Sequence, residues 1–432
     1  MIRLALQYLE KWKNNPKRKP LVIRGTRQVG KTWLMKEFGA KNYKNIAYVN
    51  LESSSTLNNI FKDDFDINRI LLAIEIETGI KITADNTLII LDEIQEAKKG
   101  VTALKYFNEQ APEYHIMVAG SLLGITLHEH TSFPVGKVDF IDLYPMSFSE
   151  FLLATGNKQL LELLKSNDWD LIKAFKNKYI QLLKHYYFTG GMPEVVAEFI
   201  NSNDFTEVRN IQKRILLGYE QDFSKHASAS VVPRIRMLWN SIPAQLAKEN
   251  RKFIYSAVKK SSRAKNFESA INWLADSGLI YKVHRVTKSG LPLKAYENFS
   301  AFKLFISDIG LLSAMSNLSA KSIIDGNAIF QEFKGALTEQ YVLQQLKSIT
   351  DTGIFYWSTE KSTAEIDFIV QNEDLIIPIE VKAEENLKAK SLKSFYQKYP
   401  TTNPIRISLS DYRKESWLKN LPLYAVGELF GV

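Results

Sequence analysis

The feature that most constrains this chain is a glycine-rich loop between an apolar strand and a helix, LVIRGTRQVGKT at residues 21–32. Gly25 and Gly30 let backbone N–H groups wrap phosphate oxygens, and the helix N-terminus adds the positive end of its dipole. At this spacing Lys31 reaches the β- and γ-phosphates and the Thr32 hydroxyl faces Mg²⁺. The sequence therefore predicts an ATP site. Its residues are Gly25, Thr26, Arg27, Gln28, Val29, Gly30, Lys31 and Thr32.

A pair of acids follows a second apolar strand, in TLIILDEIQEA at residues 87–97. Four apolar residues carry Asp92 to the C-terminal edge of a sheet, where ligands bind in such folds. We expect Asp92 to hold the water shell of Mg²⁺, and Glu93 to be the base that polarises the attacking water. Ser121, which ends the strand HIMVAG, is a further candidate for contact with the γ-phosphate or the water. Together these residues predict ATP hydrolysis.

The first 150 residues alternate apolar runs with helical patterns, which is typical of a buried parallel sheet with helical crossovers. Residues 147–225 have an almost wholly helical pattern, interrupted only by TGGMPE at 189–194. In the next hundred residues, helices followed by a β-hairpin favour a winged helix. From about 330 onward a helix precedes three short strands and another helix, so the whole chain is predicted to be of the α/β class.

Several motifs together resemble one large family of bacterial and archaeal ATPases, the AAA-like proteins with a C-terminal domain of unknown function. They are RGTRQVGKT, LIILDEIQEA, VAGSLLG, LYPMSFSEFL, YYFTGGMPEVV, LADSGLIYKV, FKLFISDIGLL and GALTEQYVLQQL, and they span nearly all of the chain. The resemblance implies four domains. These are a P-loop ATPase domain (1–150), a helical lid (151–225), a winged helix (226–325) and a restriction-endonuclease-like domain (326–432).

The chain departs from this family at Gly136-Lys137, where many relatives carry Gly-Arg. A lysine keeps the charge but lacks the planar fork that suits transition-state phosphate oxygens. If that position supplies an arginine finger in the relatives, the finger here comes from elsewhere. Arg27, Arg214 and Arg234 are the candidates, and the sequence leaves the choice among them open.

The positive charge is concentrated in one part of the chain. Residues 226–325 hold 15 Lys and Arg against 6 Asp and Glu, so this window carries the whole net charge of +9. Such an excess predicts contact with DNA or RNA, with a solvated helical face as the alternative. The absence of cysteine excludes disulfides and thiolate sites. With no apolar run long enough to span a membrane, we expect a cytoplasmic protein without a membrane partner.

Acidic residues and a lysine share two neighbouring strands in EIDFIVQNEDLIIPIEVKAEE, residues 365–385. If the hairpin turns around residues 372–374, Glu365 lies opposite Glu380 and Asp367 is its diagonal neighbour. Crowded carboxylates are unfavourable without a cation, and a bound Mg²⁺ would relieve the crowding. Lys382 beside it would position or deprotonate a water for phosphodiester attack.

This arrangement resembles the PD-(D/E)xK nucleases, with Asp367 followed by Glu380-Val381-Lys382. The resemblance implies Asp367, Glu380 and Lys382 as catalytic residues, and Glu339 on the preceding helix as a further metal ligand. The alternative is a strand in which Glu380 and Lys382 form a structural salt bridge.

Three functions compete at this point. The first is an ATPase that acts on nucleic acid and carries a terminal nuclease. The second is an ATPase switch whose C-terminal domain is inactive and binds a partner. The third is a non-enzymatic regulator that binds DNA with ATP as a stabilising ligand. The Asp92-Glu93 pair counts against the third, and the filled Asp367, Glu380 and Lys382 positions favour the first.

Overall fold

The computed structural model describes residues 2–63, 65–97, 99–120, 134, 136–247, 252–258, 264–326, 328–359, 364–385 and 388–431. The chain forms two compact units. The smaller contains Ile2–Tyr144 together with Asp276–Leu279, and the larger contains Pro145–Ala275 with the described residues from Ile280 onward. No helix within these ranges is both long enough and apolar enough to cross a membrane.

The smaller unit is built on a five-stranded sheet in which every pair of neighbours is parallel. Its strands are β1 (Leu21–Arg24), β2 (Asn45–Asn50), β3 (Thr87–Asp92), β4 (His115–Ala119) and β5 (Asp139–Asp142), in the order β2-β3-β4-β1-β5. The helices are α1 (Ala5–Asn14), α2 (Lys31–Asn42), α3 (Ser55–Asp63), α4 (Ile67–Thr78) and α5 (Gly100–Gln110). The predicted parallel sheet with helical crossovers is confirmed.

Both faces of this sheet are covered, and β3 shows why its sequence is apolar throughout. Leu88 and Ile90 belong to one hydrophobic cluster, whereas Ile89 and Leu91 belong to another. Successive side chains of a strand point to opposite faces, so a strand buried on both sides needs a continuous apolar run. The polar residue that follows the run, Asp92, therefore marks the carboxyl edge of the sheet.

The larger unit begins with consecutive helices, as the pattern of residues 147–225 predicts. They are α6 (Phe148–Ala154), α7 (Lys158–Ser166), α8 (Trp169–Ala174), α9 (Lys176–Thr189), α10 (Pro193–Ser202) and α11 (Phe205–His226). Ser147 and Glu150 form a capping box at the start of α6, which satisfies two of its free N–H groups. Further helices follow as α12 (Val232–Leu246), α13 (Tyr255–Val258) and α14 (Ala264–Asp276).

The Gly-Gly pair between α9 and α10 allows two segments to approach closely. A Cβ atom on Gly190, whose φ is +75°, would lie 2.2 Å from Oδ1 of Asp308, and one on Gly191 would lie 2.1 Å from the Met146 carbonyl oxygen. The Asp308 carboxylate accepts hydrogen bonds from the backbone N–H of Gly191 (2.6 Å) and of Leu311 (3.0 Å). The side chain of Gln344 donates a third, at 3.1 Å. Asp308 thus joins the helical region to the C-terminal part of the same unit.

Asp308→Asn is expected to destabilise this unit strongly. The carboxylate is fully buried, and an amide would place N–H groups against the N–H donors that it now satisfies. Hydrogen bonds to a charged group contribute about 1.5–3 kcal/mol each, so we expect a loss of at least about 3 kcal/mol, seen as a lower thermal midpoint. Asp170→Asn, at an exposed aspartate of α8, serves as the control. Equal midpoints for the two variants would contradict this role of Asp308.

An eight-stranded sheet forms the rest of the larger unit, in the order β12-β13-β11-β10-β9-β8-β6-β7. Its strands are β6 (Ile280–Val286), β7 (Glu297–Ile306), β8 (Ile354–Ser358), β9 (Glu365–Asn372), β10 (Leu375–Val381), β11 (Ile405–Ser408), β12 (Arg413–Lys414) and β13 (Lys419–Pro422). The accompanying helices are α15 (Ile309–Met315), α16 (Ala328–Ile349) and α17 (Lys390–Lys398).

A β-hairpin is present in residues 226–325 as the antiparallel pair β6 and β7. Its second strand begins at Glu297, after a 3-10 turn at Leu293–Tyr296, and not at the start of the predicted strand PLKAYENF (292–299). However, β6 also pairs in parallel with β8, with His284 opposite Phe355 and Val286 opposite Trp357. The hairpin is therefore continuous with the C-terminal sheet, across the predicted domain boundary at 325/326. The winged helix and the four-domain division stay predictions.

Candidate functional site

The loop between β1 and α2 has the backbone that phosphate binding requires. Gly25 and Gly30 have φ values of +148° and +93°, and Gln28 has φ +64°. A Cβ atom on Gly25 would lie 2.2 Å from the Leu143 carbonyl oxygen, so only glycine fits there. These conformations form the tight turn that leads into the N-terminus of α2 at Lys31.

Lys31 lies inside the curve of this loop. Its side-chain ammonium donates hydrogen bonds to the carbonyl oxygens of Gly25 (2.9 Å) and Thr26 (2.8 Å). Burial lowers the pKa of Lys31 to about 8, although the nearby carboxylates of Glu93 and Asp92 act in the opposite direction. The hydrogen bonds from the loop do not fully replace the hydration that the buried ammonium has lost, since its pKa stays lowered. A phosphate group bound beside it would favour the charged form.

Thr32 and Asp92 form the pair expected of a Mg²⁺ site. The Thr32 hydroxyl donates to Oδ2 of Asp92 at 2.5 Å, and the Tyr48 hydroxyl donates to the same oxygen at 3.3 Å. Burial raises the pKa of Asp92, and the hydrogen bond from Thr32 counteracts that effect. The hydroxyl and the carboxylate therefore lie together at the end of the loop, and these oxygen ligands fit Mg²⁺ with its retained waters.

Glu93 directly follows the Mg²⁺ candidate and has an unusual backbone. Its φ of +51° lies in the left-handed region, which costs a non-glycine residue about 1–3 kcal/mol and is concentrated at functional sites. Its Oε2 accepts a hydrogen bond from the Gln95 side chain at 2.6 Å. The structure thus fixes the position of the predicted base through a residue that the sequence did not single out.

Arg3 is a second residue that sequence reasoning missed. Its guanidinium is buried and donates to the carbonyl oxygens of Val29 (2.9 Å) and Tyr144 (2.6 Å). Arg3 therefore holds the phosphate loop, through Val29, to the backbone at Tyr144. The sequence carries no local signal for this role, because the contact joins residues 26 positions apart.

The residues considered for an arginine finger are charged side chains on the surfaces of the two units. Lys137 pairs with Glu109 at 2.9 Å on the surface of the smaller unit. Arg27, Arg214 and Arg234 are all exposed on their respective units. Ser121 lies outside the described residues, and its assignment stays a prediction.

In the C-terminal region, the structure brings together Asp367, Glu380 and Lys382. The Lys382 ammonium lies 2.8 Å from Oε1 of Glu380, and Oδ2 of Asp367 accepts the N–H of Val381 at 2.8 Å. Burial raises the pKa of Glu380, an effect that Lys382 opposes and the Asp367 charge reinforces. Oε2 of Glu380 is buried without a hydrogen-bond partner, which is the kind of orphaned atom that a cation would satisfy.

The predicted register of this hairpin is wrong by two residues. Leu375 pairs with Asn372 and Ile379 pairs with Phe368, so the same register continued by one residue places Asp367, not Glu365, opposite Glu380. The reason is a two-residue turn at Glu373-Asp374, where Glu373 adopts a φ of +50°. Left-handed turn residues are typical of such tight hairpins.

Glu339 and Glu365 lie beside a different cation, the ammonium of Lys303 on β7. The Lys303 ammonium pairs with Oε1 of Glu365 and lies 3.7 Å from Oε2 of Glu339. Lys303 falls within the predicted winged helix (226–325), and no local sequence pattern connects it with these acids. In the part of the chain that the structure describes, no three carboxylate or imidazole side chains are arranged to hold one metal ion together.

Four basic residues of the 226–325 window are the predicted phosphate contacts: Lys259, Lys260, Arg263 and Lys265. The first three lie outside the described residues, and so does the side chain of Lys265. Arg234 and Arg236, from the same window, are exposed on α12.

Three family models match separate parts of the chain. A family model described as an AAA domain matches residues 17–152. Two models described as domains of unknown function match residues 180–322 (DUF8612) and 334–425 (DUF4143). No curated protein matches the chain.

Solved structures give a weaker likeness. A Walker-type ATPase of Pyrococcus abyssi is 14% identical, with 72% of this chain and 94% of that chain covered and a TM-score of 0.44. A signal-transduction ATPase with a tetratricopeptide-repeat sensor from Pyrococcus horikoshii is 14% identical, with 81% and 46% covered and a TM-score of 0.26. AMPPCP-bound DnaA from Aquifex aeolicus is 14% identical, with 62% and 75% covered and a TM-score of 0.22.

The AAA-domain model covers residues 17–152. The matched residues contain the five-stranded parallel sheet, the loop between β1 and α2, and the Thr32–Asp92 pair. Residues 17–152 of this chain therefore match the AAA-domain model and have the parallel sheet and phosphate loop of a P-loop ATPase domain.

Proposed function

We propose that the smaller unit binds ATP with Mg²⁺ and hydrolyses it. The observation that carries this proposal is the convergence of the Lys31 ammonium, the Thr32–Asp92 pair and Glu93 around one phosphate loop. Lys31 would pair with the β- and γ-phosphates, and Thr32 and Asp92 would hold Mg²⁺, which supplies charge neutralisation for the transferred phosphoryl group. Glu93 accepts a proton from the attacking water, and Gln95 holds the Glu93 carboxylate in place until then.

Glu93→Gln is expected to retain nucleotide binding and to lower ATP turnover by about 10²–10⁴-fold, the usual contribution of a general base. The amide keeps the size and a hydrogen-bonding oxygen but cannot accept the proton. Phosphate release and nucleotide affinity are measured in parallel. Glu96→Gln, at an exposed glutamate three residues further on, is the control. Wild-type turnover in Glu93→Gln would refute the assignment of the base.

Nucleotide affinity is expected to fall as the pH rises above 8. Burial holds the pKa of Lys31 near 8 in the nucleotide-free protein, whereas a bound phosphate favours the ammonium and raises this pKa. Binding above pH 8 must therefore take up a proton, and affinity decreases by up to about tenfold per pH unit. Titration calorimetry with a non-hydrolysable ATP analogue, in two buffers of different ionisation heat, measures this uptake. A constant affinity and no proton uptake between pH 7 and 9 would contradict it.

We further propose that the C-terminal region is a metal-dependent nuclease. The observation behind this second function is Oε2 of Glu380, a buried carboxylate oxygen without a hydrogen-bond partner beside Asp367 and Lys382. Mg²⁺ commonly uses only one or two protein carboxylates and completes its shell with water and substrate phosphate. Asp367 and Glu380 would hold the ion, which supplies Lewis-acid stabilisation of the phosphodiester.

The other residues of this centre have separate roles in the proposal. Lys382 is about one-third exposed and reaches Glu380, so its ammonium can contact both the acids and an incoming phosphate. Arg406, directly opposite Glu380 on β11, is almost fully buried and helps to keep the Glu380 carboxylate ionised. The basic excess of residues 226–325 supplies attraction for the nucleic-acid backbone.

The competing function is an ATPase switch whose C-terminal region binds a partner and cuts nothing. The Glu380–Lys382 contact is compatible with it as a structural salt bridge. Incubation of the full chain with labelled single-stranded and duplex DNA and RNA, in Mg²⁺ or Mn²⁺, separates the two. Cleavage by the wild type supports the nuclease. Saturable binding of metal or nucleic acid without any cleavage supports the switch.

A further inference from the structure

Lys303 is a fully buried lysine that the proposed reactions do not use. It lies on β7 with no exposed surface. Its ammonium contacts two carboxylates that come from different elements, Glu365 on β9 and Glu339 on α16. The ammonium also lies 5.0 Å from the centre of the Tyr356 ring, a distance at which the ring face attracts a cation.

Burying the Lys303 ammonium is unfavourable unless nearby carboxylates stabilise its charge. Moving an ammonium out of water costs several kcal/mol, and close carboxylates recover that cost. Two neighbouring carboxylates have the same need for a cation. Glu339 is a predicted ligand of Mg²⁺ and Glu365 one of the crowded carboxylates, but the protein itself provides a positive charge beside both of them.

The remaining acids of the region form a separate group. Asp367 and Glu380 influence each other electrostatically, and Glu380 pairs with Lys382, which is partly exposed and lies 2.8 Å from Oε1 of Glu380. Oε2 of Glu380 is buried without a hydrogen-bond partner, whereas Oε2 of Glu339 faces the fully buried ammonium of Lys303 at 3.7 Å. Because Lys303 has no access to solvent and Lys382 is partly exposed, an added cation is accommodated more readily in this second group.

We infer that Lys303 is a built-in counter-ion for Glu339 and Glu365, so that the C-terminal centre takes one divalent cation, at Asp367 and Glu380, rather than two. Lys303 is a positioning residue: it holds the two glutamates without touching the substrate. The inference rests on the proposed nuclease site, and it specifies the number of metal ions in that site.

The test counts Mn²⁺ ions bound by the nucleotide-free full chain, using titration calorimetry and paramagnetic resonance of free Mn²⁺. Subtracting the count for Asp367→Asn isolates the C-terminal centre from all other sites. The expected difference between wild type and this variant is one ion. A difference of two ions would overturn the inference.

Substitution of Lys303 gives the second arm. Lys303→Met removes the charge at similar length and is expected to bind one additional Mn²⁺, with a larger rise of the thermal midpoint on Mn²⁺ addition than the wild type. Lys303→Arg keeps the charge and is expected to retain the wild-type count. A lysine with a merely structural role would lower stability without changing the count, and that result would overturn the inference. If Lys303→Met does not fold even with Mn²⁺, the wild-type count decides.

The results also separate this inference from the nuclease proposal. Cleavage accompanied by two bound ions refutes the role of Lys303 and leaves the nuclease standing. Absence of both cleavage and Asp367-dependent Mn²⁺ binding refutes the nuclease itself, and the counter-ion inference falls with it.

Discussion

Replacing Lys31 by alanine is expected to weaken ATP binding at least about 100-fold. The ammonium is buried inside the phosphate loop, where it donates hydrogen bonds to the carbonyl oxygens of Gly25 and Thr26. Charge-assisted bonds to phosphate in such a site contribute about 3 kcal/mol, and each 1.4 kcal/mol is tenfold in affinity. Binding of a fluorescent ATP analogue measures the effect.

The matched control is Lys41→Ala on the same helix. Lys41 is 61% exposed and pairs with Glu37 on the surface, so its removal should leave ATP affinity within about twofold of the wild type. Unchanged folding of both variants is checked by thermal unfolding without nucleotide. Wild-type ATP affinity in Lys31→Ala would contradict the phosphate-loop assignment, whatever its effect on turnover.

Asp367→Asn is expected to lower nucleic-acid cleavage at least about 100-fold while ATP hydrolysis is unchanged. The amide oxygen can still accept the N–H of Val381, so the hairpin is retained. The lost negative charge weakens the cation site, and metal stabilisation of a phosphodiester transition state is worth several kcal/mol. A loss of about 3 kcal/mol gives a rate decrease of this size.

Asp374→Asn provides the control because it makes the same change on the same hairpin, at an exposed turn position. It should cleave at the wild-type rate. Equal cleavage by Asp367→Asn and Asp374→Asn would remove Asp367 from the reaction. A parallel loss of ATP hydrolysis in Asp367→Asn would show instead that the substitution disturbs the whole chain.

The sequence was sufficient for the phosphate loop and the sheet around it because their signals are local. An apolar run buried on both faces predicts a parallel strand, and the spacing of Gly25, Gly30, Lys31 and Thr32 predicts the loop that follows β1. The Thr32–Asp92 contact also follows, since parallel strands bring their carboxyl ends to one edge of the sheet.

The contacts that sequence reasoning missed all depend on tertiary structure. Arg3, just before α1, donates a hydrogen bond to Val29 in the phosphate loop. Lys303 on β7 pairs with Glu365 on β9 of the eight-stranded sheet. The hairpin register failed for a more local reason, since a left-handed Glu373 shortens the turn. A shift of pairing by two residues keeps the same faces and therefore leaves little trace in the apolar pattern.

A winged helix cannot be assigned from the local pattern of helices and hairpin alone, because the domain boundary depends on long-range strand pairing. The helices and a hairpin of β6 and β7 are present. Their assignment to a separate domain depends on what β6 pairs with, and it pairs with β8 of the C-terminal sheet. Such long-range parallel pairing has no signature in a single sequence.

The most direct test measures phosphate release and cleavage of labelled DNA and RNA by one preparation of the wild-type chain, with ATP and Mg²⁺ or Mn²⁺. Both activities are expected, with phosphate release lowered at least about 100-fold by Glu93→Gln and cleavage lowered at least about 100-fold by Asp367→Asn. Wild-type phosphate release in Glu93→Gln, or wild-type cleavage in Asp367→Asn, would contradict the corresponding assignment. A wild-type chain that releases no phosphate from ATP under any of these conditions would contradict its assignment as an ATPase.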